Sequence, residues 1–152
     1  MSVVADASPL IALNQVGRLD TLRQLVGEVL VPPAVAAEIL PSVPAVAWIV
    51  VRRPAKPVTL SAQRASLGAG EVEALGLALE LQATHFIVDE RAARREAIAL
   101  GLRPLGTLGV LLAAKRRGLI PEIKPLIDEL VRQGFWVSPR LVKATLAAAG
   151  EA

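Results

Sequence analysis

The chain has 152 residues, the size of one domain with a single hydrophobic core. It contains no cysteine and no tyrosine, and His85 is its only histidine, which excludes disulfides, zinc–thiolate sites, thiol nucleophiles and catalysis by a histidine pair. The net charge of +3 permits a polyanionic partner without requiring one. If the chain is an enzyme, carboxylates are the groups left to carry its chemistry.

The first residues lack the layout of a signal peptide, because Asp6 falls where the apolar segment would lie. No apolar run approaches the roughly 20 residues that cross a bilayer. We therefore expect a soluble, cytoplasmic protein with no membrane partner.

Short β-branched runs alternate with helical patterns from the N-terminus onward. The predicted strands are residues 2–5, 29–31, 48–51, 86–88 and 103–105. The predicted helices are residues 9–16, 18–26, 33–40, 70–82, 91–100, 108–117, 122–133 and 139–149. The alternation predicts an α/β domain over residues 1–152 with a mainly parallel sheet, and with helices at about 122–150 packed on it or extending it.

Prolines and glycines support these boundaries. Prolines at positions 9, 33 and 139 suit the first position of a helix, and glycines at 101, 118, 134 and 150 suit helix ends. Residues 53–66 are predicted to be a connector with at most a short helix, because Pro54 and Pro57 forbid a regular one.

Charge is unevenly distributed along the chain. Residues 68–100 contain six acids and three arginines, whereas residues 101–152 contain eight lysines or arginines and four acids. An acidic centre between basic flanks suits a metal-dependent nuclease. Solvated charge scattered over helix surfaces is the ordinary alternative.

Two acids follow predicted strands directly. Asp6 comes after the first strand and Asp89 after the strand Phe86-Ile87-Val88. Ligands of open parallel sheets bind beyond the carboxyl ends of the strands, so these carboxylates converge if the two strands are neighbours. Both acids also suit helix caps or turns, and Ser8 before Pro9 is a good N-cap residue whose hydroxyl can serve a site as well.

Two glutamates lie on predicted apolar helix faces. Glu71 shares a face with Leu75, Ala78 and Leu79, and Glu38 borders the stripe of Val35 and Ile39, whereas Glu73 and Glu80 are expected to face water. An inward carboxylate is costly unless a partner compensates its charge. Mg²⁺ or Mn²⁺ prefers carboxylate oxygens and can be that partner. The ordinary alternatives are a first-turn residue at Glu71 and a solvated helix end at Glu38.

These stretches together resemble the PIN-domain family, in particular the VapC-like toxins of prokaryotic toxin–antitoxin pairs. The matching segments are VVADASPLIAL, LVPPAVAAEIL, LGAGEVEALGLALELQATHFIVDERAAR and LGTLGVLLAAKRRGLIP, and the similarity continues through the closing GFWVSPRLVKATLAAAGE. The resemblance implies an α/β/α sandwich around a parallel sheet of strand order 3-2-1-4-5. It also implies a single-strand-directed ribonuclease in which Mg²⁺ or Mn²⁺ activates the attacking water.

The resemblance places the acidic positions at four residues of this chain: Asp6, Glu38, Glu71 and Asp89. Ser8 takes the small hydroxyl position, and Glu90 is a supporting candidate. The third acid is Glu here, where many family members have Asp. The family further implies a cognate antitoxin protein whose peptide covers the acidic site, and a toxin homodimer.

Basic residues near these acids are candidates for holding the RNA backbone. They are Arg91, Arg94, Arg95, Lys115, Arg116 and Arg117. Ordinary helix-surface charge is the alternative for each. The four aromatic residues offer little material for a base-stacking platform.

Three other functions remain open at this point. The segment LGAGEVEALG resembles a nucleotide-binding loop, but Glu73 stands where the third glycine is needed. Residues 122–133 and 139–149 are compatible with a DNA-binding helix-turn-helix, although the six-residue turn is long for that motif. The third alternative is a PIN-like fold retained for protein binding without nuclease activity.

Overall fold

The computed structural model describes residues 1–56 and 67–152. Within them lies a sheet of five strands: β1 Val3–Ala5, β2 Val29–Val31, β3 Ile49–Val51, β4 His85–Ile87 and β5 Pro104–Leu105. All neighbouring strands pair in parallel, in the order β3-β2-β1-β4-β5. This architecture confirms the predicted α/β/α fold and its strand order.

Eight helices surround the sheet in the described part of the chain. They are α1 Ala7–Gln15, α2 Leu19–Val26, α3 Pro33–Ile39, α4 Ala69–Glu80, α5 Arg91–Ala99, α6 Thr107–Arg116, α7 Lys124–Arg132 and α8 Pro139–Ala148. Every predicted boundary lies within two residues of the observed one. The predicted connector at 53–66 lies largely outside the described residues. None of the helices in residues 1–56 and 67–152 is long and apolar enough to cross a membrane.

The first helix begins earlier than its proline suggests. Asp6 occupies the N-cap position, and Ser8 is the second helical residue, so the prediction of Ser8 as N-cap is wrong. Pro9 is the third helical residue. Its missing N–H costs nothing there, because the N–H groups of the first turn have no partner within the helix.

The core lies on both faces of the sheet. Phe86 and Ile87 of β4 are fully buried, as is Val4 of β1 between β2 and β4. Helices contribute as well, among them α1 through Leu10 and α4 through Leu75. Each such side chain contributes about 2 kcal/mol when removed from water. This packing fixes the carboxyl ends of β1 and β4, from which the acids project.

Candidate active site

Asp6 lies at the carboxyl end of the central strand. Val4 pairs with Phe86 and Ala5 with Ile87, and the Asp6 N–H donates to the Ile87 carbonyl at 2.9 Å. Asp6 is only 4 % exposed, and its Oδ1 has no hydrogen-bond partner among the residues that the structure describes. An oxygen of this kind loses its hydration without compensation from the protein.

The pKa of Asp6 reflects this position. Burial raises the pKa of Asp6 to about 6, against the smaller opposing effect of the Ala7 N–H. The negative charges of three other acids raise the pKa further: Glu71, Glu38 and Asp89. The four acids that the sequence singled out therefore lie near enough to act on one carboxyl group.

Asp89 follows β4 and is held from the other side by α6. Its Oδ1 accepts from the Thr107 N–H at 2.7 Å and its Oδ2 from the Thr107 hydroxyl at 2.6 Å. Burial raises the pKa of Asp89, although these two bonds and the charge of Arg94 oppose the rise. A Cβ at position 106 would lie 2.8 Å from Asp89 Oδ1 and 2.6 Å from Arg94 Nη1, so this approach needs Gly106. Thr107 was not among the predicted site residues; the pair Gly106-Thr107, directly before the predicted helix at 108–117, is the signal that could have indicated it.

Glu38 reaches the site from α3. It is exposed, and its carboxylate lies against Gly70 near the start of α4. A Cβ at position 70 would overlap Glu38 Oε1. Glycine at this position therefore leaves the space that the Glu38 carboxylate occupies.

Glu71 and Glu90 lie side by side at the N-termini of α4 and α5. Glu71 Oε1 accepts from the Gly68 N–H at 2.7 Å, and Glu90 Oε2 accepts from the Ala93 N–H at 2.8 Å. Burial raises the pKa of Glu71, and the neighbouring carboxylates of Glu90 and Glu38 raise it further against the Gly68 bond. Each glutamate thus caps a helix and also faces other acids.

The acids lie near one another but do not surround a common point. No three acid or histidine side chains among residues 1–56 and 67–152 stand close enough together to enclose an ion as they are placed. Asp6 and Asp89 are fixed, whereas Glu38 is exposed and has no hydrogen bond to a described residue.

The sequence matches a known family over nearly its full length. A family model described as a PIN domain matches residues 2–151. The chain belongs to the PIN-domain family. Domains of this family are generally nucleases and usually use divalent metal ions. Comparisons with curated proteins and with solved structures each find no match.

Two further acids of this PIN domain bond to distant backbone groups. Glu73 was expected to face water, but it is half-buried, and its Oε1 accepts from the Ala34 N–H at 3.1 Å and caps the start of α3. This expectation is wrong because Ala34 lies 39 residues away, beyond the reach of helical periodicity. Glu80 is exposed, as expected, and accepts from the N–H groups of Ala55 and Lys56 at 2.9 and 3.2 Å.

The basic candidates of the PIN domain divide into two groups. Arg91, Arg94 and Arg95 line a groove of about 980 Å³ whose wall also contains Ser8, Asp89 and Glu90. Lys115 lies outside that groove, where its ammonium bonds Glu151 at 2.8 Å and the Ala149 carbonyl at 2.6 Å. Arg116 and Arg117 are exposed near the end of α6. The three arginines of α5 are therefore the basic residues that share a surface with the acids.

Proposed function

We propose that this PIN domain is a metal-dependent endoribonuclease and the toxin of a type II toxin–antitoxin pair. The observation that carries the nuclease proposal is Asp6: a buried carboxyl with an unpartnered oxygen, a raised pKa and three other acids around it. A cation at this position would remove the cost of that arrangement.

The donor set fits a hard divalent cation. Carboxylate oxygens with no thiol or imidazole among them suit Mg²⁺ or Mn²⁺. We propose Asp6, Glu38, Glu71 and Asp89 as its ligands, with Ser8 and Glu90 in support. When bound, such an ion acts as a Lewis acid toward a phosphate oxygen and lowers the pKa of water.

The protein's own residues position the reaction. The two bonds from Thr107 fix the orientation of Asp89. The bond to Ala93 holds Glu90 at the start of α5, one residue before Arg91. Arg91 and Arg95, one helical turn apart on the groove side of α5, are placed to bind phosphates next to the scissile one.

The toxin role rests on the resemblance of the sequence to VapC-like chains. It implies action in the cytoplasm, a homodimer, and an antitoxin whose peptide covers the acids. A reading frame for a small protein beside the gene for this chain is the observation that supports this part of the proposal.

The other candidate functions fit the site less well. A nucleotide phosphate at the start of α4 would meet Glu38 on Gly70 and Glu71 on the Gly68 N–H, both of which repel it. The helix-turn-helix alternative requires α7 and α8 to act as a unit, but the residues between them form a wall of the groove beside the acids.

Metal titration of RNA cleavage tests the nuclease proposal. The purified protein is expected to cleave single-stranded RNA with Mg²⁺ or Mn²⁺ and to stop on addition of EDTA. Asp6→Asn is expected to lower the rate at least about 100-fold. Asp20→Asn is the matched control, since Asp20 is exposed on α2 and paired with Arg23.

Two outcomes would overturn this proposal. Cleavage at the full rate in both Asp6→Asn and Asp89→Asn would show that other residues carry the activity. Absence of cleavage in a folded protein that still binds a neighbouring gene product would favour the protein-binding alternative.

A further inference from the structure

The connector between α7 and α8 forms one wall of the groove, which residues 134–138 line. Gly134 adopts a φ of 95° at the end of α7, where its N–H donates to the Val131 carbonyl and the Phe135 N–H donates to the Leu130 carbonyl. At the other end, Ser138 Oγ accepts from the Leu141 N–H at 3.1 Å and caps α8. These bonds hold the short connector at both ends.

Side chains alternate along this connector. Phe135 and Val137 pack against the core, whereas Trp136 between them is 82 % exposed. Trp136 therefore contributes little to the core, and its backbone is held by inward-facing neighbours. Because the backbone at Trp136 is held in this way, stacking of a flat ligand on the indole costs only the rotamer freedom of one side chain.

The groove that Trp136 lines contains both apolar and basic side chains. Ile98 of α5 and Leu141 of α8 are 62 % and 47 % exposed and line the same groove. Arg91, Arg94 and Ile98 lie on one face of α5, at offsets of three and seven residues. Neither Arg91 nor Arg95 forms a salt bridge with another residue of 1–56 or 67–152.

The groove includes two of the acids. Ser8, Asp89 and Glu90 line it together with Trp136, so one continuous surface joins these residues to the exposed indole. The unpaired arginines of this surface can bind phosphates, and its exposed indole can stack on a base. These features, next to the acids, match a nucleic acid strand, in which phosphates and bases alternate. They match a folded protein surface less well, because its anions do not alternate in a fixed repeat with flat groups that can stack.

We infer that Trp136 stacks on an unpaired base of the RNA substrate while Arg91 and Arg95 bind the phosphates between that base and the cleaved bond. The inference rests on the proposed ribonuclease function and deepens it. Stacking requires an unpaired base, since the faces of a base in a duplex are covered by its neighbours. Trp136 is thus a specificity-determining residue that selects single strands extending past the acids.

Fluorescence tests the stacking directly. The chain contains no tyrosine and only two tryptophans, so Trp48→Phe leaves Trp136 as the sole strong emitter. The titration uses this variant combined with Asp6→Asn, in EDTA, so that binding is measured without cleavage. A ten-nucleotide oligouridylate is expected to quench the emission. An abasic oligomer of the same length and charge is expected to bind without quenching.

Affinity measurements with matched variants complete the test. Trp136→Ala is expected to weaken oligouridylate binding about 10-fold, and Trp136→Phe to retain most of it. Leu40→Ala removes a comparably exposed apolar side chain elsewhere, and Lys143→Gln removes a charge from α8; both are expected to have no effect.

The two proposals fail in different ways. Equal quenching by the abasic oligomer, or equal affinity of Trp136→Ala, would overturn the stacking proposal even if metal-dependent cleavage is intact. Quenching without any metal-dependent cleavage by the wild type would retain Trp136 as a nucleic-acid contact and overturn the nuclease. A blue shift of the emission with protein concentration, and none with RNA, would assign the surface to a second copy of the chain and overturn the inference.

Discussion

Asp6 and Glu151 are carboxylates at opposite ends of the chain, and their surroundings shift their pKa values in opposite directions. Asp6 is buried with one oxygen unpartnered, and its pKa rises to about 6. Burial also acts to raise the pKa of Glu151, but Lys115 and the N–H groups of Ile123 and Lys124 outweigh it and lower the pKa to about 2.

Glu151 is a carboxylate that stabilises the folded state, whereas the burial of the Asp6 carboxylate destabilises it. Glu151 caps the start of α7 and joins it to Lys115 of α6 at 2.8 Å. Asp6 makes no equivalent contribution, since its environment favours the neutral form. A protein retains a costly buried acid most readily where a ligand uses it.

The largest effect on stability is expected from breaking the Glu151 contacts. Glu151→Ala removes the charged partner of the Lys115 ammonium, which keeps only the Ala149 carbonyl, and leaves two backbone N–H groups without acceptors. We expect a loss of about 4 kcal/mol in the free energy of unfolding. Urea denaturation measures it. Glu151→Gln keeps an acceptor and should lose less; equal losses in the two variants would contradict the account.

The next effect is the pH dependence due to Asp6. Its folded pKa lies above the ordinary value of 3.8, so the folded state holds a proton that the unfolded state releases between about pH 4 and pH 6. Stability from this group is present below pH 4 and lost as the pH rises through 6. The loss amounts to about 3 kcal/mol.

Comparison of wild type with Asp6→Asn in EDTA isolates that contribution. Between pH 4 and pH 7, the free energy of unfolding of Asp6→Asn, measured by urea denaturation, should rise by about 3 kcal/mol relative to that of the wild type. A constant difference between the two proteins across this range would mean that Asp6 titrates normally. Glu151 has the opposite sign, since its contribution is present above pH 4.5 and falls as the pH drops toward 2.

Metal binding should convert the costly carboxylates into stabilising ones. At a Mn²⁺ concentration 100 times its dissociation constant we expect about 2.7 kcal/mol of added stability, visible as a higher Tm. Asp6→Asn should lose most of this gain and Asp20→Asn should keep it. An unchanged Tm in the wild type at millimolar Mn²⁺ would contradict the site.

The smallest effect is expected at Gly70. Gly70→Ala introduces a Cβ where the Glu38 carboxylate lies, so Mn²⁺ affinity should fall by a factor of about 3 to 10, or about 1 kcal/mol. Isothermal titration measures this. In a Glu38→Gln background the same change should have little further effect; independent, additive losses would show that Glu38 is not displaced.

Local signals in the sequence were sufficient for the elements and for two of the acids. Proline and glycine marked the helix ends, and residues placed directly after strands, Asp6 and Asp89, converge because β1 and β4 are neighbours. Helical periodicity placed Glu71 on the apolar face of α4, and the charge of Glu71 acts on Asp6.

Contacts between distant residues could not be predicted in the same way. The bonds of Glu73 to Ala34 and of Glu151 to Ile123 depend on how helices pack, and neither leaves a periodic signal. The segment Phe-Trp-Val is apolar throughout, yet Trp136 is exposed. Inward and outward side chains alternate here over only three residues, which is too short a stretch to recognise as a pattern. Tertiary packing, which determines these positions, lies outside any short window of sequence.

The bonds from Thr107 to Asp89 have a consequence for the order in which the protein becomes functional during synthesis. Thr107 lies in the last third of the chain, so a nascent polypeptide shorter than this lacks the donors that orient Asp89. Domains fold as units while the ribosome extends them. Under the proposed ribonuclease function, a nascent chain that ends before Thr107 is expected to lack an oriented Asp89 and therefore to be inactive toward its own messenger RNA.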